Sequence, residues 1–186
     1  VDYYAVNFQS RLRKYNYISG YENRQTYGLR FFFFFFKINF EIEGAYQSGK
    51  FGNLNIDAFS ILADVNVVIY PSKKGIVGIA VNSASGDRNN ADGKLNTYNL
   101  LFAKPAYGLS IPIGSTNMMS IYPYIKINPV QKLNMLAQVF FLARYRDQDG
   151  TYSPGMIENR PRPEMIFGSG SKSLGFFYVL EANYQQ

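Results

Sequence analysis

The chain has 186 residues, with 19 Lys+Arg against 13 Asp+Glu and no Cys, His or Trp. Without Cys there is neither a disulfide framework nor a thiolate metal site, and without His there is no imidazole acid–base catalysis and no commonest zinc ligand. Tyr and Phe, 16 of each, make 17% of the chain aromatic, while only 17% is charged, against about 25% in an average soluble domain. Mean hydropathy is nevertheless only −0.17, and no window of 18 apolar residues offers a transmembrane helix. Low charge, abundant aromatics and moderate hydropathy suit a transmembrane β-barrel, whose wall meets lipid outside and water inside. The net charge of +6 is scattered rather than gathered in one basic segment, so nucleic acid is not an expected partner. Val1 enters directly on a strand-like run with no signal-peptide pattern before it, which reads as a mature or partial chain.

Period-two alternation then runs through eight segments: 2–16, 22–33, 37–50, 54–70, 75–86, 117–128, 132–147 and 172–184. In the third, Ile38, Phe40, Ile42, Gly44 and Tyr46 share one side, and Lys37, Asn39, Glu41, Glu43 and Gln47 the other. In the fourth, Phe59, Ile61, Ala63, Val65, Val67 and Ile69 oppose Ser60, Asp64 and Asn66. In the seventh, Met135, Ala137, Val139 and Phe141 oppose Gln138, Arg144 and Arg146. The predicted fold class is therefore all-β, an antiparallel meander of about eight strands forming part or all of an outer-membrane barrel, with residues 1–186 as one domain. Phe40, Ile42, Val65, Val67, Val139 and Phe141 are expected to face lipid.

Many of these segments exceed the ~5–6 residues of globular strands, and about 9–11 suffice to cross a bilayer at a tilt. The connections Pro71-Ser72-Lys73-Lys74-Gly75 and Asn128-Pro129-Val130-Gln131 are short, whereas 87–116 and 148–171 are long, an arrangement typical of outer-membrane barrels. The competing reading, a soluble β-sandwich or lipocalin-like barrel, calls for shorter strands and tighter loops. Two features fit less well. Residues 31–36 are six consecutive Phe where a polar or Gly-containing turn is expected, and no function is placed on them. The chain also stops two residues beyond Tyr184, where bacterial barrels usually finish on a terminal aromatic, so closing strands are expected to be missing.

Several stretches, in order, resemble the alginate export family of outer-membrane barrels: Tyr21-Glu22-Asn23-Arg24-Gln25-Thr26-Tyr27-Gly28; Glu41-Ile42-Glu43-Gly44-Ala45-Tyr46-Gln47-Ser48-Gly49-Lys50-Phe51-Gly52; Ala84-Ser85-Gly86-Asp87; Asn96-Thr97-Tyr98-Asn99-Leu100-Leu101-Phe102; and Asp147-Gln148-Asp149-Gly150-Thr151-Tyr152-Ser153-Pro154-Gly155. The similarity covers about residues 15–184, and the version here is similar to members from Bacteroidota. It implies a larger barrel, of which this is the C-terminal part, in the outer membrane of a bacterial cell, exporting or diffusing an anionic polysaccharide or similar solute. The alternative is a non-conducting barrel that serves as a structural subunit among other outer-membrane proteins. No catalytic group and no cofactor are expected.

Alternation assigns the polar faces to the lumen. Arg11, Arg13, Arg24, Arg30, Lys126, Arg144 and Arg146 form a candidate anion path, since rings of Arg and Lys favour anions and the guanidinium fork suits a carboxylate. Glu41, Glu43, Asp64 and Glu181 are candidate ion-pair partners, and simple bracing of the wall is the other reading of each Arg. The face of the first strand is inferred from Val6, Phe8 and Leu12 pointing outward, which a bulge would reverse. The loop Asp87-Arg88-Asn89-Asn90-Ala91-Asp92-Gly93 is oxygen-rich, but Ala91 stands where a calcium ligand is needed, and Asx/Gly-rich loops are usually turns. Glu41 and Glu43, roughly 7 Å apart by strand rise, only loosely resemble a glycosidase pair. The Gly168-Ser169-Gly170-Ser171-Lys172 stretch lacks the strand before and helix after that a phosphate loop needs.

Overall fold

A computed structural model describes residues 1–16, 18–70, 72, 74–89, 91–101, 114–160 and 172–185. Eight long strands form one antiparallel meander: β1 Asp2–Tyr15, β2 Ile18–Phe35, β3 Ile38–Phe51, β4 Leu54–Tyr70, β5 Gly75–Ala84, β7 Met118–Ile127, β8 Leu133–Arg144 and β11 Ser173–Tyr184. The two-residue β6 (Lys94–Leu95) joins the sheet beside the start of β4, running parallel to it. β9 (Thr151–Tyr152) and β10 (Glu158–Arg160) form a separate small hairpin. Each segment of alternating sequence becomes one long strand. The second is longer than alternation suggested, because pairing with β3 carries it through five of the six Phe to Phe35.

Register defines two faces. One bears Phe31, Phe33, Ile42, Tyr46, Ile61, Val65, Val67, Ile79, Val81, Ile121, Val139, Phe141 and Phe176, all at least a third exposed. Phe40 stacks on Phe33 with ring centroids 4.7 Å apart. None of the six residues expected to face lipid lies in a closed core. Tyr27, Tyr46 and Phe59 are successive cross-strand partners on this outer face, an aromatic row at one edge of the apolar band. From Phe59 to Ile69, β4 keeps this face apolar. Ten residues at ~3.3 Å each, tilted by ~40°, cover about 25 Å, the height of the lipid-facing band of such barrels.

The turn after β2 needs no glycine. Phe36, 93% exposed, adopts φ 53° itself, a left-handed conformation that normally falls to Gly or Asn. Aromatic side chains from residues 31–35 alternate between faces like any strand, so the run is structural. All turns at this end are short. The other end holds two tight hairpins, after β1 and after β3, and both long connections. β1 and β11 end the sheet order and do not pair with each other among the described residues.

Candidate lumenal site

The inner face carries Glu22, Arg24, Thr26, Gly28 and Arg30 from β2, opposite Phe51, Gly49, Gln47, Ala45 and Glu43 of β3. The described parts of both long connections fold onto it. Glu22 and Arg24 are fully buried, with Arg24 Nε 2.6 Å from Glu22 Oε1. The Tyr15 hydroxyl donates to the same carboxylate at 3.0 Å. Arg24 also donates to Gln47 Oε1 at 2.6 Å and to the Thr97 carbonyl at 3.1 Å. Gln47 then treats the incoming chain as a strand neighbour: its Oε1 accepts from the Asn99 N–H (2.9 Å) and its Nε2 donates to the Asn99 carbonyl (2.8 Å). A buried ion pair costs desolvation and is sustained only when its remaining polar groups are satisfied. Here the backbone of residues 97–99 satisfies them, so strand wall and loop stabilise each other.

Asp149 is the second anchor. Its fully buried carboxylate accepts from Asn16 Nδ2, the Gly150 N–H and the Tyr152 hydroxyl at Oδ1, each at 2.8 Å, and from the Asp87 N–H and Thr97 hydroxyl at Oδ2, each at 2.7 Å. One side chain therefore ties the β1–β2 hairpin, the β5–β7 connection and the β8–β11 connection together. Asn117, at φ 51°, bonds the Arg146 backbone on both sides and the Gly150 carbonyl. Tyr152 and Met156 from the last connection pack with Tyr15, Phe51, Ile56 and Leu95 into an apolar cluster. The result is a plug built inside the wall. Tyr98, in this plug, has its phenol pKa raised, chiefly by burial.

Below the plug the inner face is less covered and braced differently. The Tyr4 ring lies over Gly28, where a Cβ would come within 2.0 Å of it, and its hydroxyl reaches Glu43 Oε1, two strands away, at 2.7 Å. Tyr124 repeats this across β5: a Cβ on Gly78 would stand 2.5 Å from its ring, and its hydroxyl reaches Asp64 of β4 at 2.9 Å. Arg30 pairs with Glu41 at 2.6 Å. Lys126 Nζ sits 5.0 Å from the Tyr124 ring centroid. A cleft of ≈ 440 Å³ opens between Tyr4, Thr26, Glu43, Tyr98 and Leu100.

This placement corrects the expected arginine path. A bulge between Ser10 and Arg13 shifts the β1 register, so Val6 and Phe8 face inward beside Thr26 and Arg24, and Asn7, Gln9 and Arg11 face the other way. Beyond the bulge Arg13 is inward, 3.9 Å from Glu22. Arg24 and Arg144 have no exposed surface and so line no water path. Arg144 donates to the Asp147 and Asp149 carbonyls at 3.2 and 3.4 Å, bracing the loop. Arg146 lies past the end of β8, over the Tyr145 ring. Arg30 and Lys126 remain on the inner face below the plug, among Glu41, Glu43, Asp64 and Glu181. The charge there is mixed, with acids in excess.

Asp149, Thr97 and Asn99 do not emerge as site residues from alternation because they lie in connections without period, and Asn16 and Asn117 because they stand at the very ends of alternating segments, in turn positions. The first three do fall in the family-like stretches, and members of all five stretches meet at the plug. In the loop after β5, Asn89 and Asp92 accept backbone N–H bonds from Ala91 and Lys94, so they cap turns. Among the described residues no acidic group of three could hold a metal. Asn90, Phe102, Pro71, Lys73 and the Gly168-Ser169-Gly170-Ser171 stretch lie outside the described residues.

The model of one protein family, described as alginate export, matches residues 1–181. No curated protein matches the chain.

Proposed function

Because the chain belongs to the alginate export family, we propose that its eight strands are a wall segment of a larger bacterial outer-membrane barrel that conducts a saccharide-class, anionic solute. The two-faced sheet carries the reading: an apolar outer band about one bilayer core in height, and an inner face of acids, amides and phenols braced across strands. Arg30, Lys126, Tyr4 and Tyr124, interleaved with Glu41, Glu43 and Asp64, offer donors and acceptors to a hydroxyl-rich chain. With acids in excess, the anionic class rests on the family rather than on a run of cations. The plug sits at the end with the long connections, where it narrows the route.

The dense plug also favours a second reading, a non-conducting wall that supports neighbouring outer-membrane proteins. Planar-bilayer recording on the full-length protein separates the two. Discrete conductance, with current reduced by added polyuronate, is expected of the conduit. Silence in a correctly inserted barrel establishes the structural role. A chain that stays monodisperse without detergent refutes both.

A further inference from the structure

A cleft of ≈ 300 Å³ opens on the outer face at the rim, where the long connections leave the sheet. Its floor is the edge-to-face pair Phe59 and Tyr145, with ring centroids 5.6 Å apart. Arg88, Lys94 and Arg146 stand around it, with Asp57 as the carboxylate in the lining. Asp57 bonds Lys94 at 2.9 Å, and it raises the Lys94 pKa, with a smaller contribution from Asp92, while Arg88 opposes. Arg88 is exposed and Arg146 half-buried; neither makes an ion pair among the described residues. Two cations thus remain uncompensated over an aromatic floor.

The position says what they meet. Phe59 belongs to the aromatic row that edges the apolar band, and Asp57 lies two residues beyond it toward the loops. The cleft therefore stands at headgroup height. Directly below is an apolar groove of ≈ 430 Å³ lined by Val81, Met119, Ile121, Phe141 and Ala143. Ala143 precedes Tyr145 by two residues, so headgroup cleft and groove are within ~7 Å along one strand. Arg146 and Lys94 flank the upper space, and no charged side chain lines the lower one.

We propose that this is a binding site for a phosphorylated membrane lipid, with the phosphate between Arg88 and Arg146 and an acyl chain in the groove. The inference rests on the outer-membrane reading above. A soluble anion would satisfy the cations but leave the groove empty.

The test uses the full chain in detergent and diphosphorylated lipid A as probe, with bound lipid counted by native mass spectrometry. The protein should hold about one lipid. R88Q/R146Q should bind it about 25-fold more weakly, at about fivefold for each cation removed. K50Q, which removes a charge from the same face outside the cleft, should bind normally, and glucose 1-phosphate should not compete. Unchanged binding by R88Q/R146Q overturns the proposal, as does full competition by glucose 1-phosphate, which would indicate a site for soluble anions. Heat-modifiable gel mobility of each variant reports that the barrel is folded. Solubility without detergent would instead be a failure of the membrane reading, visible before lipid is added.

Discussion

Replacing Asp149 with Asn changes one acceptor into a donor at the centre of the plug. All five groups around the carboxylate donate to it. The new amide is best placed with its nitrogen on the Oδ2 side, where the Thr97 hydroxyl can turn and accept. The Asp87 N–H cannot turn, so it loses a charge-assisted bond worth about 1.5–3 kcal/mol and faces another donor. The bonds at Oδ1 weaken as the charge disappears. A loss of about 3 kcal/mol shifts the seated-to-released ratio of the plug by about 100-fold. Amide hydrogen exchange reads it directly: the Asp87, Gly150 and Asn99 N–H groups should exchange about 100-fold faster, while amides in the β2–β3 ladder stay protected. Bilayer recordings should show more open time. Unchanged protection at Asn99 would mean that Gln47 and Arg24 hold the plug without Asp149, and the reasoning would be wrong.

Gly28→Ala and Gly78→Ala should each cost about 1–3 kcal/mol in urea unfolding from lipid vesicles, since the added methyl meets the Tyr4 or Tyr124 ring. Gly44→Ala, with no atom within 4 Å of its Cβ, should stay within about 0.5 kcal/mol of the parent. Phe36→Gly should raise stability by about 1 kcal/mol in the same assay, because glycine takes the positive φ without strain. Tyr98 holds its proton more tightly when folded, so its contribution is fully present below pH ~10 and is lost as pH rises above it. Thermal unfolding between pH 8 and 11 should show that decline, and Tyr98→Phe should reduce it.

Alternation made the eight strands and the lipid-facing set legible, because a half-buried strand imposes period two on every residue it contains. It failed where the backbone breaks the period. Val6, Phe8 and Leu12 read as one outward row, yet the extra residue between Ser10 and Arg13 puts Val6 and Phe8 inside and leaves Leu12 exposed. Nothing in the composition of that stretch announces a bulge. Alternation sets Arg24 and Arg144 on the polar side of their strands, but their burial depends on loops that carry no period. A guanidinium bonded to Gln47 and the Thr97 carbonyl cannot be told from one facing water without knowing where residue 97 goes. The five family-like stretches hold many of the plug residues, Asn16 and Asn117 excepted, but say nothing of their meeting in one place.

The bond from Asn16 to Asp149 joins residues 133 positions apart, while even the two wall pairs closed by long connections bring together residues as near in sequence as Ala84 and Met118 or Ala143 and Ser173. Loop closure over long separations is the slow part of folding. The contact of Asp149 with the first hairpin is therefore expected to form after β8 has paired, and that of Tyr152 with it. The wall can therefore assemble strand by strand around an empty interior, with the loops settling into it at the end. Refolding should then pass through a late species with native strand content, an unfilled lumen and unprotected amides at Asp87, Asn99 and Gly150.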